Sequence, residues 1–505
     1  MVKIIKSVTK SIGRSIRHDP EIKKIASRFP RLARFIRKRL TPNEKYGLHL
    51  TLGITVVIFF TILFFTILKS YIGQDRLIQI DLRIINLVNQ FRTPVIDKLM
   101  LFITHLAKGE NITVGVIVVS IIFILKRNWH YLSTLLISVI GSEIFVHILK
   151  NIICRPRPPL VNALMTESTY SFPSGHTFAA ISFYGLLVFF ILQSEKNRFL
   201  KKISFFLGLT LIIWISISRV YLGVHWPSDV LASLVIGIIW LTIFITSTKI
   251  KLKFTHFPKK QKLKAKNITK ISLSLILFWI LFIINFFIKN PIENYNQDPF
   301  PSQKTIIEKT EIIEKLFEKL PVNSESIDGT AMEPINIIVV ANKETLNSAF
   351  FDSGWYSLDR LSWKSIYKLS KALLFKESYA STPALPVFWD TYPNTINFGK
   401  PTENNSPKER HHVHFWQTSF KTSDNQDIWV GTAHFDEEIK GKFSPIHRTN
   451  PAVDKERDLI KNDLNQNNKV DYFEEVQITE TTFGVKQSGN QFFTDGKAYL
   501  LFLKQ

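Results

Sequence analysis

The chain has 505 residues, enough for two or three domains, and a formal net charge of +23. The charge is uneven: residues 1–290 hold 40 Lys+Arg against 11 Asp+Glu, and residues 291–505 hold 24 against 30. The basic excess belongs to the apolar half, which argues against a nucleic-acid partner and for basic loops between membrane spans, while the single cysteine, Cys154, excludes an intrachain disulfide.

Residues 1–45 carry fourteen Lys/Arg and three acids, and read as a basic cytoplasmic segment, either amphipathic helices on an anionic leaflet or a solvated tail. Tyr46–Leu68 is apolar and uncharged, long enough to cross ~30 Å of hydrocarbon. Further apolar spans fall near 111–125, 131–153, 176–193, 203–219, 227–248 and 271–288, which makes seven crossings. Residues 76–107 mix charge with apolar groups and read as interfacial or re-entrant, with an eighth crossing at 94–106 as the alternative. Lys126-Arg127, the Lys196/Arg198/Lys201/Lys202 loop and residues 249–270, with nine lysines and no acid, all belong on the cytoplasmic side. Seven crossings from an inside N-terminus satisfy all three loops. They also place everything after residue 289 outside.

Residues 291–330 read as a linker with a short helix at Thr305–Leu320, and 331–505 as an extracytoplasmic α+β domain. Its expected strands include Ile335–Ala341, His412–Thr418, Ile428–His434 and Ala498–Leu503, and its expected helices Glu344–Phe351 and Ala452–Leu464.

Three strings in the apolar half carry chemistry: Lys150-x6-Arg157-Pro158, Pro173-Ser174-Gly175-His176, and Ser218-Arg219-x5-His225-x3-Asp229. On the seven-span topology all three fall at the outer ends of spans. Breaking a phosphate ester requires charge stabilisation on the non-bridging oxygens, an aligned nucleophile and a proton for the leaving oxygen. Lys150, Arg157 and Arg219 supply the charge, the arginines as bidentate forks. Ser174 is placed to cap a helix and Gly175 lets its free amides approach a phosphate. Asp229, four residues after His225, meets the imidazole one helical turn away and fixes its tautomer. His176 is left to protonate the departing oxygen. Glu143 and His147 share a helix face with Lys150, and read either as support for it or as a bundle-packing pair.

These strings resemble the signature of the type 2 phosphatidic acid phosphatase (PAP2) superfamily over about residues 46–250. The resemblance implies an all-α transmembrane bundle of the PAP2/haloperoxidase-like kind. It implies His225 as a nucleophile that becomes phosphohistidine, Asp229 as its partner and His176 as the acid. It also implies Lys150, Arg157, Ser174, Gly175 and Arg219 on the phosphate, with no metal and no cofactor. Residues from about 335 to 503 resemble the C-terminal domain of LssY-type proteins through Ile335–Trp355, the string from Arg410 to Trp416, Thr432–Asp436 and Ile446–Asp458. There His412 and His414 share a strand face that His434 could join. A metal site on these three ranks below an ion-paired cluster of Arg410, His411, Asp454, Glu456 and Arg457, or a headgroup-binding face.

The expected protein is therefore a multi-pass lipid phosphatase of a bacterial inner membrane, with its site and C-terminal domain periplasmic. Phosphatidic acid, phosphatidylglycerol phosphate, polyprenyl diphosphate and lipid A phosphates are the expected substrates. The alternatives are a lipid phosphotransferase using the same site and a membrane-anchored binding or assembly protein.

Overall fold

The computed structural model describes residues 20–41, 47–73, 76–159, 163–254, 265–289, 304–375, 379, 381–402, 409–440, 446–485, 489 and 491–505. The expected linker up to residue 303, the first nineteen residues and the middle of the lysine-rich 249–270 loop lie outside them. Two short helices come first, α1 (Pro20–Arg28) and α2 (Pro30–Leu40). Basic side chains line α2 while Leu32, Phe35, Ile36 and Leu40 stay exposed. This is the amphipathic pattern of a helix lying on a membrane surface.

Next come α3 (Leu48–Ile72), α4 (Arg76–Asn89), α5 (Pro94–His105), α6 (Gly109–Leu125), α7 (Trp129–Ile153), α8 (Gly175–Ser194), α9 (Arg198–Tyr221), α10 (Pro227–Phe254) and α11 (Ala265–Lys289). Among the described residues, six of these helices are long and apolar enough to cross a membrane: α3, α7, α8, α9, α10 and α11. The pair α5 and α6 passes the same test together but is bent by 47°, giving a seventh span if counted as one. At 1.5 Å per residue α5 reaches only ~18 Å, too short to be the alternative eighth crossing. Thr93 caps it by accepting from the Ile96 amide, and Asn111 of α6 donates to the His105 carbonyl across the bend. The half is thus a multi-pass helical membrane bundle. Its lipid-facing positions remain apolar and exposed, as Phe59, Ile62, Leu207 and Phe278 are. Its helices close on small residues: a Cβ at Gly115 would come within 2.8 Å of both Trp279 and Phe183. Within α8 the register slips into a π turn at Ile181–Gly185.

The second half is strand-rich. A nine-stranded mixed sheet runs in the order β12 (Val470–Gln477), β15 (Lys497–Leu503), β4 (Ile337–Val340), β10 (Asp427–Lys440), β9 (Arg410–Thr422), β8 (Ile396–Pro401), β5 (Tyr356–Ser357), with β1 (Thr305–Ile307) on β9 and β11 (Ile446–Thr449) on β10. Alternation divides its faces. Val413, Phe415, Trp429 and Val339 pack under helices α13 (Lys343–Asp352) and α15 (Asp454–Gln466) through Leu346, Phe350, Ile460 and Leu464. Trp416, Val430, Ile338 and Leu500 face the other way, toward Ile312 and Leu316 of α12 (Ile312–Phe317) and Trp389. Trp389 belongs to a four-stranded sheet of β3 (Ala331–Pro334), β2 (Asn323–Glu325), β6 (Phe388–Trp389) and β7 (Tyr392–Pro393). The expected helix at Thr305–Leu320 is corrected: β-branched Thr305-Ile306-Ile307 pairs with β9 as strand β1, and only Ile312–Phe317 is α-helical.

The two halves meet on α4. Arg83, 3% exposed, pairs with Glu325 of β2 at 2.6 Å. Asn86 donates to the Thr391 carbonyl and Gln90 to that of Asn394. Gly329, at φ +81°, lies so close to α4 that a Cβ would overlap the Gln79 side chain and crowd Arg83. We expect Arg83→Ala to loosen this joint by about 1.5–3 kcal/mol, the range for a hydrogen bond to a charged group. Faster limited proteolysis between the halves is the readout.

Candidate active site

All three strings converge at one end of the bundle. His225 lies in the turn between α9 and α10, and its Nδ1 is 3.5 Å from Asp229 Oδ2. The carboxylate is fixed on both oxygens: Oδ2 accepts from the Trp226 amide at 3.0 Å and Oδ1 from Arg155 at 2.6 Å. His225 and Asp229 are 1% and 0% exposed, and at 3.5 Å the carboxylate faces Nδ1 from just beyond hydrogen-bond reach. Its other nitrogen, Nε2, faces Arg157 Nη1 at 3.4 Å.

Three cations lie within electrostatic range of the ring. Arg157 donates to the Val224 and Thr169 carbonyls, both at 2.6 Å, which sets the fork in place. Lys150 and Arg157 both donate to Thr169 Oγ1, at 2.8 and 3.1 Å. Arg219, wholly buried, donates to Thr104 Oγ1 at 2.8 Å and pairs with Glu167 at 2.6 Å. His225 lies within electrostatic range of Arg219, Arg157, Lys150 and His176. Burial first, and then those positive charges, hold its imidazole well below the usual histidine range and therefore neutral. Burial disfavours ionised Glu167, but Arg219, with Arg157 and Lys150 behind it, outweighs this and keeps the carboxyl below its ordinary range.

Ser174, Gly175 and His176 form the start of α8. Ser174 is buried, yet it makes no capping bond to the helix amides, contrary to the expectation. Its Oγ instead accepts from Thr177 Oγ1 at 3.1 Å. The first-turn amides are thus left unclaimed by Ser174, as an anion-binding helix start requires. Chemically the arrangement presents a neutral, oriented imidazole, three cations with one carboxylate among them, and a helix N-terminus.

The family model described as the PAP2 superfamily matches residues 129–253, and that described as the LssY C-terminus matches residues 317–498. Phosphatidylglycerophosphatase B of Bacillus subtilis is 31% identical over 183 residues, covering 35% of this chain and 87% of that protein. The undecaprenyl-diphosphatase of Sulfolobus acidocaldarius is 31% identical over 197 residues, covering 37% and 90%. The chain belongs to the PAP2 superfamily. A crystal structure of a transmembrane PAP2 type phosphatidylglycerolphosphate phosphatase from Bacillus subtilis also aligns, with a TM-score of 0.35, 26% identity, and coverage of 41% of this chain and 98% of that one.

This PAP2 phosphatase carries an LssY C-terminal domain that begins before residue 335, since the matched region takes in β2 and β3. The structure adds residues to the site that the motifs do not name. Arg155, 3% exposed, bridges Asp229 and Asp81 of α4, at 2.6 and 2.8 Å. Asp81 in turn accepts from the Ser228 amide at 2.8 Å and from the Ser228 hydroxyl. Thr169, Thr104 and Glu167 hold the cations. The repeated Arg-Pro of Arg155-Pro156-Arg157-Pro158 is the one sequence signal that could have drawn attention to Arg155.

Glu143 and His147 lie on the exposed face of α7, and His147 pairs with Asn151 at 3.1 Å. Among the described residues no hydrogen bond joins either one to Lys150. Glu143→Gln is expected to leave turnover and its pH dependence unchanged, as measured on purified protein.

Proposed function

We propose that this chain hydrolyses the terminal phosphate of a membrane lipid, as a monoester or a pyrophosphate, through a phosphohistidine on His225. The observation that carries this is the placement of His225 between two groups, with Nδ1 facing Asp229 at 3.5 Å and Nε2 facing Arg157 at 3.4 Å. Lys150, Arg157, Arg219 and the α8 amides bind the non-bridging oxygens; Ser174 and Gly175 shape that helix start. Nε2 attacks phosphorus, the phosphorus–oxygen bond to the lipid breaks, and His176 protonates the departing oxygen. Asp229 stabilises the imidazolium that develops. Water then attacks the phosphohistidine, with His176 accepting its proton, and inorganic phosphate leaves. Three cations and Glu167 leave a surplus of two positive charges, matched to a phosphate dianion.

Two named relatives, a phosphatidylglycerophosphatase and an undecaprenyl-diphosphatase, support a lipid with a terminal phosphate as the substrate class. Orientation follows from the loops. The end of the bundle opposite the site carries Lys126, Arg127 and the 195–202 loop, the cytoplasmic pattern. The site and the C-terminal domain then face outward from a bacterial plasma membrane. The phosphatase half runs from 46 to 290, and the segment from 291 leads into a C-terminal domain that already includes β1, α12 and β2 before residue 331.

Because the neutral imidazole is the reactive form and its pKa is depressed, the acidic limb of kcat/KM assigned to His225 is expected below ~6.5. A limb at or above the ordinary histidine value would contradict the burial argument. The substrate reading is tested by phosphate release from a lipid panel, using purified protein and His225→Ala, with and without acceptor lipids. The expected result is free phosphate from at least one lipid, with no labelled acceptor. Labelled acceptor would identify a phosphotransferase, and release unaffected by the substitution would overturn the proposal.

A further inference from the structure

The strand-rich domain holds a second chemical cluster, far in sequence from the phosphatase strings. On the antiparallel pair β9 and β10, His412 lies opposite His434, and His414 opposite Thr432. Alternation turns all three imidazoles to the same face of the sheet. Their ring centroids are 4.8, 5.6 and 5.3 Å apart, and one nitrogen from each lies within 4.8 Å of the others. All three are buried, at 3%, 2% and 6% exposure.

Two of the rings are also held from behind, and the third lies near the same carboxylate. Asp436 Oδ2 is 3.2 Å from His412 Nδ1, and Asp436 Oδ1 is 3.6 Å from His434 Nε2. Asn397 Oδ1 is 2.8 Å from His414 Nδ1. A carboxylate or amide oxygen holding one ring nitrogen, so that the other points to a common centre, is how ligating histidines are supported. Those other nitrogens are His412 Nε2, His414 Nε2 and His434 Nδ1. His412 Nε2 is fully buried with no hydrogen-bond partner among the described residues. Leaving such an atom unsatisfied costs ~1–3 kcal/mol, so a closed polar cluster does not explain its placement. From the facing strand β3, the wholly buried Glu333 brings Oε1 to 3.7 Å from His434 Nδ1.

We propose that His412, His414, His434 and Glu333 form a structural site for a zinc-class divalent transition metal. Three imidazoles and one carboxylate are a zinc-type donor set, and the depth of burial suits a closed, structural site. Bonds of ~2.1 Å place tetrahedral donors ~3.4 Å apart, so the ion draws the rings inward by roughly an ångström. The site also has a mechanical consequence. Glu333 sits on β3, β3 pairs with β2, and Glu325 of β2 holds Arg83 of α4. The ion therefore ties the sheet that docks on the membrane half to the main sheet of the domain. Of the ion-paired cluster expected in this domain, His411 meets Glu456 at 2.8 Å and Arg457 meets Asp454 at 3.6 Å, with Arg457 also on Asp495 at 2.7 Å, while Arg410 lies 3.7 Å from Asp436.

The test is cobalt(II) titration of tag-free, chelator-stripped full-length protein in detergent. One equivalent per chain is expected, with the d–d absorption of a four-coordinate ion, displaced by zinc. His412→Gln and His434→Gln should lose it. A His176→Gln/His225→Gln variant should keep it, which separates this site from the membrane one. Asn397→Ala should weaken zinc binding about 10- to 100-fold. Absence of a saturable equivalent in the unsubstituted protein would overturn the proposal, as would an unchanged spectrum in His434→Gln. Should that variant not fold, Glu333→Gln decides: weaker binding with a shifted spectrum supports the site, and an unaltered titration refutes it.

Discussion

Replacing His225 with Ala is expected to reduce kcat by at least ~10⁴-fold, the scale seen when a nucleophile that works with its partners as a unit is removed. KM should change far less, because the proposed phosphate ligands Lys150, Arg157 and Arg219 are left in place. Asp229→Asn is expected to lose about 10²- to 10⁴-fold, because an amide cannot hold the same tautomer or stabilise the imidazolium. In Asp229→Asn, Arg155 also loses one of its two buried carboxylates. The double variant should be hardly worse than His225→Ala alone, since the two residues act through one atom. Steady-state kinetics on the four proteins, with phosphate release as the readout, reads the cycle directly.

The second large effect is expected at Arg155, a residue that touches no substrate in this account. It is 3% exposed and donates to Asp229, Asp81 and Ser228. Arg155→Ala leaves Asp229 and Asp81, at 0% and 1% exposure, facing each other without their cation. Breaking a buried pair by removing one partner costs ~3–5 kcal/mol. The loss should appear as a lower Tm in detergent together with a fall in kcat, since Asp229 is no longer fixed behind His225. Asp81→Asn is gentler: Arg155 keeps Asp229, the Ser228 contacts weaken, and kcat should fall while the fold persists. Because Asp81 lies two residues before Arg83, the helix linked to Asp229 through Arg155 is the same one that receives the C-terminal domain.

What the sequence made legible, and what it did not, follows from the range of the interactions. Lys150, Arg157, His176, Arg219, His225 and Asp229 were readable because each sits at a fixed short spacing within its string, and because the end of an apolar run marks which side of the bundle it occupies. The reach from His225 to Asp229 spans the turn that leads into α10 and leaves Nδ1 3.5 Å from Oδ2. Arg155 was not readable for the opposite reason. Its partner Asp81 is 74 positions away, on a helix whose inward face is set only by packing. Ser174 was misjudged because a sequence shows that a serine can cap but not that Thr177 claims its oxygen. In the strand-rich domain, period-two alternation put His412 and His414 together. Only the β9–β10 register brought His434 across from His412, and only the second sheet brought Glu333 over them.

The central claim is a covalent one, and trapping tests it most directly. Purified protein is mixed briefly with lipid carrying labelled terminal phosphate, quenched in alkali to preserve phosphohistidine, and digested for mapping. The account predicts acid-labile label on the peptide containing His225, greater in His176→Gln if hydrolysis of the intermediate slows more than its formation, and absent in His225→Ala. Turnover without label at His225, or label on any other residue, would contradict it.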